Sequence, residues 1–437
     1  MKTSKYNVEI ISNRPEELVL FNTLTGSFVK LDHDGILLYS DINAFINELN
    51  DEQKRIVEGL YHNGFIVDDD FDEISYTLIR REMSRNRFGT LSLTIAPTMD
   101  CNMCCPYCFE NKYKRYMDKN VVNKILTYVK NYMIYYPEME SLQVTWYGGE
   151  PLMAKDIIYE LSNELIKLCK NNDKKYSSFV ITNGSLLDRK TAIKLRDDCR
   201  VTGAQITIDG IGESHNRSRI LKNGEDSYRI IINNIQDCKD VLPIHIRVNV
   251  TRKNEDQLEE LFDIAKGFKG DNDYPEIYLA PVVDYSESCS LNKTCFSFQE
   301  FADIYLKMMN YNLKLNRKIK DGDFYPNIKG LYCGAETTGC VTIDPQGYLY
   351  KCWMDVGKIE KAFGHIDKPF KITEELAKWV LSTLPEKCIN CEYLPACAGG
   401  CPYERVRKGN PTCPYSYYNY REKLKLAYDI YQQKRRL

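Results

Sequence analysis

The stretch Cys101-Asn102-Met103-Cys104-Cys105-Pro106-Tyr107-Cys108-Phe109 follows an apolar, β-branched segment, Leu91–Ala96. Its spacing leaves two readings open. One is a pair of C-x2-C zinc half-sites, Cys101/Cys104 and Cys105/Cys108. These abut, so no loop can fold one pair back over an ion, and zinc ribbons usually put about 12 or more residues between pairs. The other is C-x3-C-x2-C, with Cys101, Cys105 and Cys108 holding three corners of a [4Fe–4S] cluster, since thiolate is the usual cluster ligand. The fourth iron then stays open for a small ligand, as an open position marks a catalytic metal site.

The rest of the chain supplies context. It has 437 residues, 43% apolar and 27% charged, which is globular composition. Lys+Arg is 59 and Asp+Glu is 61, a net charge of −2, so no global field draws the chain to nucleic acid or anionic lipid. The 17 Cys stand against 5 His. An odd count fits complete disulfide pairing poorly. Four cysteines fall within Cys101–Cys108 and eight between Cys333 and Cys413. The scattered ones, Cys169, Cys199, Cys238, Cys289 and Cys295, read as small buried hydrophobes. Met1–Leu20 has no apolar core of signal-peptide type, and no stretch approaches a spanning helix. A reducing cytoplasm is expected, with no membrane and no nucleic-acid partner.

Residues 1–85 read as a small module. Leu18–Asn22 and Ser27–Leu31 suggest a hairpin, Ile36–Leu49 and Glu52–Tyr61 have helical periodicity, and Phe65-Ile66-Val67 reads as a strand. This order suggests a winged-helix-like fold. Its basic residues within Asp41–Glu58 are only Lys54 and Arg55, so a peptide is the better ligand than DNA. From about residue 88, strands Leu91–Ala96, Leu142–Tyr147, Phe179–Thr182, Ala204–Ile208, Ile244–Val250 and Glu276–Ala280 alternate with helical patterns. That predicts βα units, a parallel sheet and a partial (β/α)6 barrel over 86–315, with active residues at the strand ends. Residues 316–437 form a third, Cys-rich segment closed by a polar helix.

The cysteine loop followed by an aromatic, Phe109, resembles the radical S-adenosylmethionine (SAM) enzyme signature. The next strand ends in Gly148-Gly149-Glu150-Pro151, which resembles the family motif that contacts the SAM amino group. Glu150 can accept from an ammonium, and the glycines permit close approach. Thr182-Asn183-Gly184 stands where the family recognises ribose. Thr207-Ile208-Asp209-Gly210, with the later Arg219, resembles the SAM-carboxylate region, Arg219 being the bidentate partner. His215 reads as an ordinary polar turn residue.

The tail, Cys333, Cys340, Gly347, Cys352, then C-x2-C-x5-C-x3-C from Cys388 to Cys401, then Cys413, closely resembles the SPASM extension of radical SAM peptide maturases. The resemblance implies two auxiliary [4Fe–4S] clusters, three in all. One would use Cys333, Cys340, Cys352 and Cys401; the other Cys388, Cys391, Cys397 and Cys413. Cys340 lies outside the seven-cysteine pattern. Sulfatase-maturing members carry Asp directly after the third cysteine of the first auxiliary cluster, where this chain has Trp353. Asp355 is the nearest candidate base, though a structural carboxylate reads better. The N-terminal module resembles leader-recognition elements, which bind a peptide by strand addition. The implied function is crosslinking of a ribosomal precursor peptide, through a carbon–sulfur or carbon–carbon bond, with an external donor of flavodoxin or ferredoxin type. The competing readings are a sulfatase-maturase-like or epimerase enzyme, and a non-enzymatic iron–sulfur or zinc protein.

Overall fold

The computed structural model describes residues 1–11, 16–41, 49–110, 112–268, 275–283, 294–315, 317, 319–368, 371–409 and 411–434. The chain separates into two units, one of Met1–Asn86, Phe298–Cys333 and Ser382–Leu437, the other of Arg87–Ser297 and Gly334–Leu381.

In the first unit, β1 (Lys2–Thr3) pairs antiparallel with β5 (Ile66–Val67), and β2 (Asn7–Ile10), β3 (Leu18–Asn22) and β4 (Phe28–Leu31) form an antiparallel sheet. The Asn22 side chain accepts from Leu24 N and Thr25 N, and Gly26 takes the left-handed conformation that closes the hairpin. Strand alternation gives the sheet two apolar faces. Leu20 and Leu31 pack with Leu38, Val57, Leu60 and Phe65 of the module's own helices, His33–Ser40 and Asp51–His62. Val8, Ile10, Val19 and Phe21 pack with Tyr393, Ala396, Tyr420, Leu424 and Tyr428. The closing helix, Tyr415–Lys434, therefore lies on the N-terminal sheet. The expected helix over Ile36–Leu49 falls partly outside the described residues, as does Cys289.

The second unit holds a nine-stranded sheet. Its parallel part is β6 (Thr90–Thr98), β7 (Ser141–Gly148), β8 (Lys175–Thr182), β9 (Val201–Thr207), β10 (Ile244–Val250) and β11 (Glu276–Pro281). These are the six expected strands, joined by helices such as Lys119–Tyr135, Lys155–Asn171 and Ser227–Cys238. Asp118, Asp188 and Asp226 cap three of these helices through backbone N–H groups. On β10 the residues Ile244, Ile246, Val248 and Val250 are buried while His245, Arg247 and Asn249 are half-buried, so one face is core and the other polar. β12 (Cys340–Ile343) adds parallel to β6, followed by β13 (Tyr348–Tyr350) and β14 (Gly364–His365), both antiparallel. The expected segments 1–85, 86–315 and 316–437 are modules of sequence. In space, β12–β14 join the central sheet because Val341 and Ile343 continue its core. No described helix is long and apolar enough to cross a membrane.

Candidate active site

Parallel strands place their C-terminal ends on one rim, and the residues just after β6–β10 meet there. The cysteine loop leaves β6 and is pinned from the far side. Cys104 N donates to Ile220 O at 2.9 Å, Lys222 N donates to Asn102 O at 2.9 Å, and Met103 bridges Leu221. Cys101 is buried, Cys105 and Cys108 are half-buried, and Cys104 is exposed. The Cys104 thiol faces the Ile220 carbonyl at 3.7 Å. Burial pushes the Cys101 thiol up to about 11, and Lys112 opposes that shift. The described cysteines form no disulfide. Among the described residues no three Cys, His or carboxylate groups converge as ligands of one metal ion would. Cluster ligands need not converge, because each binds a different iron.

The glycine pair works against this loop. Gly148 has φ +115°, and a Cβ there would collide with the Thr98 carbonyl. A Cβ on Gly149 would collide with the Asp100 carbonyl. The close approach is thus between the end of β7 and the backbone where β6 passes into the cysteine loop.

Glu150 is fully buried, and its carboxylate accepts from Leu152 N at 3.0 Å, Thr182 Oγ1 at 2.7 Å and Asn183 N at 2.7 Å. Burial raises its pKa, while those donors and the Arg219 charge lower it. Asn183 Nδ2 donates to Asn102 Oδ1 at 2.8 Å, tying β8 to the cysteine loop. Thr207 is buried at the end of β9. Arg219 Nη1 donates to the Tyr107 hydroxyl at 2.7 Å and pairs with Asp209 Oδ2 at 3.6 Å. The Tyr107 hydroxyl donates to the same carboxylate oxygen, and Asn249 N donates to Asp209 Oδ1 at 2.8 Å. Arg219, although buried, is held charged by Tyr107, Cys105 and Asp209. Glu150 and Arg219 together offer a carboxylate for an ammonium and a guanidinium for a carboxylate. That is the complement of an α-amino acid zwitterion.

The sequence reading named Arg219 but not Tyr107 or Asp209 as site residues. Both lay inside quoted motifs, yet only the fold makes them neighbours. Phe109 sits just past the loop and is 38% exposed. His215 is buried, its Nδ1 accepts from Asp209 N at 3.3 Å, and burial lowers its pKa to about 3. It is a neutral structural residue. Asp355 is buried on the short turn Trp353–Asp355. Trp353 is 45% exposed and stacks on Tyr147 with centroids 5.6 Å apart. Burial pushes Glu110, beside Tyr147, to about 7.

In the first unit, Cys388, Cys391 and Cys397 are each raised first by burial and then by their neighbouring thiols, Cys413 included. These four lie close together. Cys401 and Cys333 also interact there. Cys340 and Cys352 belong to the second unit; Cys340 is half-buried, burial raises its thiol pKa and Lys351 opposes that shift. Among the scattered cysteines, Cys169, Cys199 and Cys238 are buried and Cys295 is half-buried.

Residues 95–265 match the Radical SAM superfamily model. The chain is 24% identical to the radical SAM cyclopropyl synthase TigE of Paramaledivibacter caminithermalis, over 91% of this chain and 89% of that protein. It is also 24% identical to the cysteine-type anaerobic sulfatase-maturating enzyme of Clostridium novyi, over 71% of this chain and 88% of that protein. The anSMEcpe structure with bound AdoMet superposes with a TM-score of 0.60 at 19% identity, covering 78% of this chain and 100% of that one. Streptococcus suis SuiB bound to precursor peptide SuiA gives 0.53 at 16%, covering 92% and 95%. The chain thus carries the radical SAM fold and domain. Over most of its length it is similar to a radical SAM cyclopropyl synthase and to anaerobic sulfatase-maturating enzymes.

Proposed function

We propose that this enzyme crosslinks a ribosomally made precursor peptide, closing a carbon–sulfur or carbon–carbon bond. One observation carries the peptide reading. TigE and SuiB align over 91% and 92% of this chain, whereas the sulfatase-maturase relatives cover only 71% to 78% of it, leaving out more than the length of the N-terminal module. That module ends in an edge strand, β4, the kind of edge to which a peptide strand adds.

The residues fit the cofactors. Cys101, Cys105 and Cys108 would hold the first [4Fe–4S] cluster. Glu150 would take the SAM ammonium, Arg219 its carboxylate, and Asn183, Thr207 and Phe109 the remainder. When bound, the reduced cluster and SAM supply a carbon radical that removes hydrogen from the peptide. Arg219 is already oriented by Tyr107 and Asp209, so little ordering remains on binding. Burial of Glu150, Asp209 and Arg219 excludes water from that subsite. Crosslinking removes two hydrogens, one as an atom and one as a proton plus an electron. Cys333, Cys340, Cys352 and Cys401, with Cys388, Cys391, Cys397 and Cys413, would hold two all-cysteine clusters suited to take that electron. An external flavodoxin- or ferredoxin-type protein would complete the circuit in a reducing cytoplasm. Trp353 stands where sulfatase-maturing members carry Asp, which weighs against that branch.

The test is anaerobic incubation with SAM, a reductant and the short peptide encoded beside the gene, read by mass. A loss of two hydrogens is expected. SAM cleavage with every such peptide unchanged would remove the crosslinking reading.

A further inference from the structure

The polar face of β9–β11 holds a charge that the site above does not use. Strand register aligns Gln205, His245 and Glu276 in one row, and Thr207, Arg247 and Tyr278 in the next. The polar groups of the first row are all engaged. His245 and Glu276 approach at 3.5 Å, and the Tyr278 hydroxyl reaches across to Gln205 Oε1 at 2.5 Å. Arg247 differs. Its Nε donates to Asn249 Oδ1 at 2.8 Å and the Tyr278 phenol lies beside its guanidinium, but no carboxylate among the described residues pairs with it. It is half-buried and stands level with Thr207 at the strand ends.

A guanidinium stays charged at any working pH, so a half-buried one without an acid keeps an unmatched desolvation cost. Asn249 on Nε and the hydrogen-bonded Tyr278 phenol hold the planar fork, and the remaining guanidinium N–H groups are left for an acceptor. The SAM carboxylate already has Arg219. We propose that Arg247 anchors a carboxylate of the substrate peptide, an Asp or Glu side chain or the C-terminus. This rests on the peptide reading above.

The experiment uses the cluster-loaded enzyme and the synthetic peptide encoded beside the gene. Arg247→Gln should raise the peptide KM about tenfold or more, as loss of a charge-assisted pair does. Arg247→Lys should recover part of that loss, and the SAM dissociation constant, read from the cluster's EPR signal, should move less than twofold. Peptides with single Asp→Asn or Glu→Gln changes, and one with an amidated C-terminus, identify the partner. One of them should lose affinity for the wild-type enzyme and lose no more for Arg247→Gln. Equal losses at every acidic position in both enzymes would overturn the assignment, as would a SAM affinity that falls along with the peptide's. If the wild-type enzyme cleaves SAM but alters no peptide, the peptide reading fails first, separately from Arg247.

Discussion

The two cysteine-rich regions are built on opposite principles. The loop Cys101–Cys108 is surrounded by polar side chains from distant strand ends, Glu150, Asn183, Asp209 and Arg219, each already hydrogen-bonded or ion-paired. The group Cys388, Cys391, Cys397 and Cys413 comes from one short stretch of chain. Its surroundings are apolar and aromatic: Cys391, Cys397 and Tyr417 pack on the cluster with Tyr393 and Tyr420, and Cys388 and Ile389 pack with Leu384 and Leu394. A polar, pre-oriented shell suits recognition of a charged small molecule. A dry shell of thiols suits a closed cluster that changes charge without binding anything.

The largest effect should separate these roles outright. Cys105→Ala should abolish SAM cleavage. Cys413→Ala should abolish peptide modification while SAM cleavage persists, each measured by chromatography and mass on anaerobically purified enzyme. If Cys413→Ala also stopped SAM cleavage, the division of labour would be wrong. Next comes the glycine pair. Gly149→Ala must push the end of β7 off the Asp100 carbonyl, so we expect at least about 3 kcal/mol of destabilisation and reduced iron loading. Denaturant unfolding and iron analysis check this, and no comparable loss is expected from Gly267→Ala, whose Cβ would meet nothing.

Smaller is the effect of the shell itself. Asp209→Asn keeps the shape but removes the charge that orients Arg219. SAM affinity should fall on the order of tenfold with iron content unchanged. An unaltered dissociation constant would show that Tyr107 alone suffices. Smallest is a pH effect. Burial holds the His215 imidazole at about 3 against an ordinary 6.5, so the folded state binds fewer protons than the unfolded one. Its contribution is complete above about pH 6.5 and is lost as the pH falls toward 3, with a slope approaching about 1.4 kcal/mol per pH unit. His215→Gln should flatten that part of the stability curve. An unchanged slope in denaturant titrations between about pH 7.5 and 5.5 would count against it.

Much of the site was legible before any coordinates. Spacing singles out Cys101, Cys105 and Cys108 as candidates, and the end of a strand singles out Glu150, which the structure places beside the same rim. Six strands could be read from β-branched runs because side-chain burial alternates locally along each one. Tyr107 and Asp209 were less legible, since each sits 102 residues from the other and gains meaning only when β6 and β9 end on the same rim. The glycines were read as permitting close approach, and the structure shows what approaches: the backbone of Thr98–Asp100, at the end of β6. Arg247 gave no sequence signal at all, because a lone Arg in a strand is ordinary.

The sequence by itself determined the βα rhythm and singled out the candidate ligands, because β-branched runs, thiol spacing and strand-end motifs are local properties. Only the tertiary structure decided which charges are paired. It closed His245 against Glu276, tied Arg219 to Tyr107 and Asp209, and left Arg247 without an acid among the described residues. It also laid the closing helix on the N-terminal sheet and drew β12–β14 into the central one. Those outcomes depend on contacts between residues ten to several hundred positions apart, set by burial and register rather than by any pattern along the chain.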